Sequence, residues 1–419
     1  MQTTSIYMQN LYRLKEVSTA HEATVWLHLD RKIYRDAPNW VCPLDSDIEK
    51  VFDPERNHLF EGGEAIRWIA LDENGEAVGR IAAFYNHEQA RVSDNMGCCG
   101  FFESINSQEV ANLLFDAARE WLSERGLEGM DGPVNFGSRD SWWGLLVEGF
   151  EYQPLYGNNY HHPYYKALFE NYGFQNYFNQ NSYIWRTEGG VLSEIALEKA
   201  QRLLANPDYQ IKDMSGVNLS VAAEQLRTIY NKAWSLFTGV KPMSKEEAQK
   251  LMRTLKPIID PHLIYFAYHK GEPVGFFVMV PDLNCLIGQF NGKFGLLQKV
   301  RLLWNLKVGK VCDRAFGIIF GITPEFQGKG IESAIMCHIH DTYVKTGRSR
   351  YRSFEFAWIG DFNPVMNRMI ERYVCASKHK MHTTYRYLFD RTREFERCPK
   401  LGLKKTKDER RETNDESFF

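Results

Sequence analysis

The chain carries little net charge and no long apolar run. Fifty-one Lys and Arg offset 53 Asp and Glu, leaving a formal charge of −2 over 419 residues. No overall field therefore recruits nucleic acid, and no nucleic-acid partner is expected. No stretch approaches the roughly 20 apolar residues that a spanning helix requires. Residues Met1 to Val17 lack the apolar core of a signal peptide. Eight cysteines are scattered (Cys42, Cys98, Cys99, Cys285, Cys312, Cys337, Cys375 and Cys398), with no C-x-x-C pair and no His/Cys cluster at zinc spacing. A cytoplasmic protein without a metal or permanently bound cofactor is expected. Neither a Walker loop nor a dinucleotide G-x-G-x-x-G is present.

What is present is length, apolar content and a repeat. At 419 residues with 44% hydrophobic residues, the chain exceeds one ordinary core and two domains are expected. Two stretches read as the same hairpin: Ala65 to Tyr85 and Leu263 to Val280. Their turns, Gly75-Glu76-Ala77-Val78-Gly79 and Gly271-Glu272-Pro273-Val274-Gly275, nearly match. Each is followed by a third strand (Cys99 to Ile105; Phe316 to Ile322), a helix (Gln108 to Arg125; Ile331 to Thr346) and another strand. Asn106 and Glu109 are placed as a capping box, and Gly126 and Gly347 as helix stops. The reading is an α/β (α+β) protein of two tandem domains, 1–190 and 191–396, each a mixed, mostly antiparallel sheet flanked by helices. A linker near Thr187 to Leu192 joins them. The charge-dense tail 397–419 is expected to be disordered.

The most informative segment is Gly321 to Ala334, GITPEFQGKGIESA. A strand ends at Ile322, Pro324 breaks it, and a helix opens at Ile331. Between them, Gln327-Gly328-Lys329-Gly330 offers bare backbone amides at a helix N-terminus, which suits a pyrophosphate.

This segment resembles motif A of the GNAT N-acyltransferases, [QR]-x-x-G-x-[GA], in which the loop binds the phosphates of CoA. Gln327 and Gly330 match, and Glu332 stands where Gly or Ala is usual. The resemblance implies acyl-CoA or acetyl-CoA as co-substrate, held by Ile322, Gln327, Gly328, Lys329, Gly330 and Ile331. Further landmarks resemble a bacterial family of long tandem GNAT-like proteins: YRDAPNWVCPL from Tyr34, GPVN from Gly132, Gly144-Leu145-Leu146, His162-Pro163-Tyr164-Tyr165, Asn363 and Tyr385-Arg386-Tyr387. Bacterial ceramide synthases, which acylate a sphingoid long-chain base from acyl-CoA, look like members of this broader group.

GNAT chemistry is direct transfer, so a base and an acid are sought. Glu355, Asp361 and His382 are candidate bases, with Asn363 beside them; Tyr385 and Tyr387 are candidate acids. Glu355, opposite Phe354, Phe356 and Trp358 in its strand, is expected to face water or a polar cleft. In the first half, the loop Glu103 to Glu109 lacks glycine and holds two acids, so that domain is expected not to bind the cofactor. Its Asn135, Ser138, Asp140, His162, Tyr164 and Tyr165 are candidates for a substrate pocket, with Trp304. Phe294 to Arg314 mixes apolar and basic residues like an interfacial helix. It suggests a lipid-like amine acceptor and peripheral contact with anionic membrane at its inner face. Acetylation of a small polar amine, a CoA-binding scaffold and a tRNA-dependent aminoacyl transfer are the other readings.

Overall fold

The computed structural model describes residues 11–234, 242–346 and 350–401. The proposed helix stop at Gly347 and most of the charged tail lie outside the described residues. In chain order the strands are β1 (Arg13–Glu16), β2 (Gly63–Leu71), β3 (Ala77–Asn86), β4 (Met96–Ser104), β5 (Gly129–Gly132), β6 (Leu145–Glu148) and β7 (Gln175–Arg186). They continue as β8 (Tyr209–Asp213), β9 (Ile264–His269), β10 (Glu272–Pro281), β11 (Arg314–Ile322), β12 (Ser353–Gly360) and β13 (Ser377–Leu388). The helices are α1 (Ala20–Ile33), α2 (Asp45–Val51), α3 (His87–Val92), α4 (Gln108–Glu124), α5 (Tyr165–Tyr172) and α6 (Glu194–Leu204). The remaining ones are α7 (Leu219–Trp234), α8 (Lys245–Leu255), α9 (Asn284–Ile287), α10 (Leu296–Lys307), α11 (Ile331–His340) and α12 (Pro364–Arg372).

The chain divides into two compact units. Unit 1 comprises the described residues of 1–178, 290–293 and 382–397; unit 2 comprises those of 179–289, 294–381 and 398–419. The division falls at 178/179 instead of 190, and a C-terminal stretch belongs to unit 1.

In unit 1 the sheet runs β1-β2-β3-β4-β5 and then residues 385–388 of β13. All neighbours are antiparallel except β4 and β5, which are parallel and joined through α4. Alternation along β3 sorts its residues between two cores. Ile81 and Ala83 pack with Val110, Leu114 and Phe115 of α4, whereas Ala82 and Phe84 pack with Trp26 of α1. The N-cap of α4 is Ser107, whose Oγ accepts from Val110 N at 3.4 Å. The expected box of Asn106 and Glu109 is one residue out of register, because Ser107 is the residue whose side chain reaches that amide.

In unit 2 the sheet runs β7-β12-β11-β10-β9-β8, again antiparallel except for β11 and β12, joined through α11. Phe277 and Met279 of β10 pack with Ile331, Ile335 and Ile339 of α11; Phe276 and Val278 pack with Ala222, Leu226 and Ile229 of α7. The two hairpins thus hold the same place in their respective sheets, second and third from an edge. Helix α11 ends at His340 and is followed by a π-turn, Asp341–Lys345, so the expected helix to Thr346 is tighter at first and wider at its end.

The parallel pairs differ. In unit 1 the chain stays against β4 after β5: Val134 N donates to Cys99 O at 2.9 Å. Gly100 lies so close that a Cβ there would sit 1.7 Å from Val134 O. Val134 and Phe136 are buried in the space beyond β5. Gly100→Ala should therefore force the backbone apart and destabilise the protein by about 1–3 kcal/mol or more, measured as a drop in the urea midpoint.

Candidate functional site

In unit 2 the equivalent space is open. The β11–β12 ladder consists of four pairs, Arg314↔Ser353 to Gly317↔Phe356. Beyond Gly317, β11 pairs with β10, and beyond Phe356, β12 pairs with β7. The two parallel strands part there. Ile318 is the extra residue of a bulge, since Val278 faces Ile319 and Met279 faces Gly317. The gap is a cavity of about 110 Å³, lined by Gly317 to Phe320, by Phe356 to Ile359 and by Glu332, Met336 and Met366 among others.

At one end of β11 the phosphate-loop candidate takes shape. Ile322 is buried and its carbonyl accepts from Gln327 Nε2 at 3.1 Å, which folds the loop back on the strand. Gly328 and Lys329 are exposed, and the Lys329 ammonium sits 4.6 Å over the Phe326 ring. Gly330 is the N-cap of α11 at φ 95°, with no side-chain cap bond. That left-handed conformation favours glycine, and a Cβ would also press on Lys199 O of α6 at 3.3 Å. The first amides of α11, starting at the fully buried Ile331, thus meet no capping side chain, unlike those of α4.

Glu332, one residue further, is 4% exposed and lines the cavity. Burial raises its pKa, opposed by its own backbone amide and the charge of Lys199. Lys199, which sequence reasoning missed, donates to the Tyr373 hydroxyl at 3.2 Å.

The candidate bases and acids meet varied fates. Glu355 does not face water; it is 7% exposed, with Lys380 Nζ at 2.8 Å and His379 Nε2 at 3.2 Å. Burial alone would raise its pKa, but Lys380 and His379 overcome that and hold it at about 2. Such a carboxylate is a weak base. Nothing in FEFAWI announces these partners, which come from a strand over twenty residues away. Asp361 lies half-buried in the turn after β12, its amide donating to Asn179 O at 2.8 Å. Asn363 is the N-cap of α12, its Oδ1 accepting from Met366 N at 3.1 Å. Tyr385 belongs to unit 1, buried and donating to Glu170 at 3.0 Å. Burial and that carboxylate raise its pKa. His382, also in unit 1, has Nε2 3.0 Å from Asn159 O. Tyr387 is buried in the unit 1 core.

The pocket candidates of unit 1 fall into two groups. Tyr165 and Tyr34 both donate to Glu103, at 2.7 and 2.6 Å. His162 stacks on Tyr34 and Tyr164, at 4.9 and 5.3 Å between centroids, and Tyr164 donates to Ser104 O. Burial raises the Glu103 pKa to about 7 against the pull of Arg80. Asn135, Ser138 and Asp140 form a separate turn: Asn135 Nδ2 reaches Ser138 O at 3.5 Å and Ser138 Oγ donates to Asp140 at 2.7 Å. Trp304 belongs to unit 2, on the surface of α10. There Leu297 is 80% and Trp304 62% exposed, with Leu296 and Val300 beside them, while Leu302 and Leu306 are buried. Lys299 and Arg301 flank this apolar face on its two sides. Among the described residues no helix is long and apolar enough to cross a membrane, and no group of His, Cys, Asp or Glu is arranged to hold a metal.

No family model matches the chain. It is 28% identical over 377 residues to the bacterial ceramide synthase of Caulobacter vibrioides, covering 88% of this chain and 95% of that one. It is 27% identical over 363 residues to protein YghO of Escherichia coli, covering 84% and 89%. Among solved structures it resembles a tandem GNAT protein from the clavulanic acid biosynthesis pathway, with a TM-score of 0.50 at 10% identity over 90% of this chain and 98% of that one. It also resembles the GCN5-related glucosamine N-acetyltransferase region of a fungal multi-domain β-N-acetylglucosaminidase, with a TM-score of 0.51 at 12% identity; the chain spans 38% of that longer protein. The fold is therefore that of the tandem GNAT proteins.

Two outcomes follow. Glu355 titrates in the folded state at about 2 against an ordinary 4.5, so its contribution to stability is complete above pH 4.5 and fades as pH falls toward 2. Lys380→Met should remove most of that contribution, leaving only the part due to His379, and cost about 3–5 kcal/mol, with Glu355→Leu added in the same chain recovering much of the loss; urea titrations at a series of pH values measure both. Separately, Gly330→Val should lower CoA affinity by at least about tenfold through backbone strain at the loop, read by calorimetry on protein whose melting curve is intact.

Proposed function

We propose that this chain, a tandem GNAT-type N-acyltransferase, takes a long-chain acyl group from acyl-CoA and passes it to the amine of a lipid such as a sphingoid base. The observation that carries the donor half is the parted β11–β12 pair beside an uncapped, glycine-led helix. Amides at the start of α11 suit the pyrophosphate. Backbone groups past Gly317 lie outside the β11–β12 ladder and suit the amide-bearing arm of CoA. The amine nitrogen attacks the thioester carbon, the C–N bond forms and the C–S bond breaks. The amine's proton leaves to a base and the thiolate takes a proton. The bulge at Ile318 lies outside both ladders, where its N–H would polarise the thioester carbonyl.

The lipid half rests on α10 and on the resemblance to the ceramide synthase. An exposed apolar face edged by Lys299 and Arg301 complements an anionic lipid surface, where each cation contributes about 1 kcal/mol that salt removes. The protein works there without spanning the bilayer. Within unit 1, the half-buried His162 and Tyr164 and the Asn135–Asp140 turn are candidates for acceptor binding.

Each buried methylene contributes about 0.8 kcal/mol, so a palmitoyl donor should outcompete acetyl by orders of magnitude. Turnover of a sphingoid base and of a small polar amine, each with palmitoyl-CoA and acetyl-CoA, checks this; better turnover of acetyl-CoA with the polar amine contradicts the lipid reading. Leu297→Asp with Trp304→Asp should cut binding to anionic vesicles by about tenfold or more while leaving CoA affinity unchanged.

A further inference from the structure

The cleft between β11 and β12 holds one feature that neither the motif nor the fold calls for. Glu332 lines an otherwise apolar space together with Phe277 of β10, Phe320 of β11, Phe356 of β12 and Met366 and Met369 of α12. Its Oε2 is buried and has no hydrogen-bond partner. A buried carboxyl oxygen without a partner costs about 1–3 kcal/mol, and the side chain stands at the second position of the first turn of α11, where alanine would fit the motif. The charged group that acts on it is Lys199 of α6, already engaged by Tyr373; the facing residues of β10, β11, β12 and α12 are apolar.

We propose that Glu332 works as a neutral carboxylic acid that donates a hydrogen bond to an amide carbonyl in the pantetheine arm of the bound acyl-CoA. The inference rests on the CoA reading above. An ionised carboxylate in this space would have only its own backbone amide and the charge of Lys199 to hold it, and would sit one residue from the loop that takes the pyrophosphate. A protonated one supplies the donor that a buried amide carbonyl needs. Burial raising the group's pKa agrees with this assignment. Binding then keeps the acid protonated, so affinity falls as pH rises through the pKa of the free protein. The side chain that departs from the motif thereby becomes a determinant of donor binding, and ties that binding to proton uptake.

The test is calorimetric titration of the full chain with CoA and with adenosine 3′,5′-bisphosphate, from about pH 5 to about pH 9, for the wild type, Glu332→Gln and Glu332→Leu. Glutamine keeps a neutral donor and should bind CoA as the wild type does at the acid end, without the wild type's decline of up to about tenfold per pH unit. Leucine removes the donor and should weaken CoA by about tenfold, while leaving the bisphosphate, which lacks the arm, unaffected at the acid end. Wild type and Glu332→Gln following the same pH profile would overturn the proposal. So would Glu332→Leu binding CoA as tightly as wild type, or losing the bisphosphate equally. Failure of the wild type to bind CoA at any pH would instead remove the reading on which it rests.

Discussion

The parting of β11 from β12 after Gly317↔Phe356 is the constraint on which the candidate site depends. A parallel pair inside a sheet normally runs its full length, because each unpaired buried amide or carbonyl is costly. Here the two strands find other partners on their far sides, β10 and β7. The near sides are left as facing edges around an apolar gap. The bulge at Ile318 turns β11 at the point where the ladder ends. Helix α11 begins at the same end of the sheet and presents its amides without a capping side chain. The gap, the bulge and the helix start are consequences of one geometric choice.

Unit 1 shows what happens when that choice is reversed. Its sheet has the same succession of hairpin, third strand, crossover helix and parallel strand. There the chain after β5 remains bonded to β4, with Val134 against Gly100, and apolar side chains occupy the space. The loop before α4 is tied down by its own side chains: Ser107 caps the helix, and Glu103 is enclosed by Tyr34, Tyr165 and Arg80. One architecture is thus present in an open and a filled form within a single chain.

Much of this was legible in the sequence, because alternation and glycine are local signals. The hairpins, the crossover helices, the Gln327–Gly330 loop and the amphipathic α10 all follow from spacing within a few residues. The glycine-free loop of unit 1 was equally readable. The environment of single charges was not. Glu355 alternates with aromatics as a solvent-facing residue would, yet it is buried in an ion pair with Lys380 and within hydrogen-bond distance of His379. Glu332 was readable as a departure from a motif, but not as a carboxyl in an apolar cleft. The contribution of residues 382–397 to unit 1 was also hidden, since strand pairing across the chain leaves no mark on local composition.

The central claim is that CoA is held by unit 2 alone, at the opened strand pair and the start of α11. Hydrogen–deuterium exchange of the intact protein with and without CoA tests it most directly. Slower exchange of the amides in 318–322 and 327–333, with no change in 100–110, is the predicted result. Protection in 100–110, or no protection in 318–333 under saturating CoA, would contradict it.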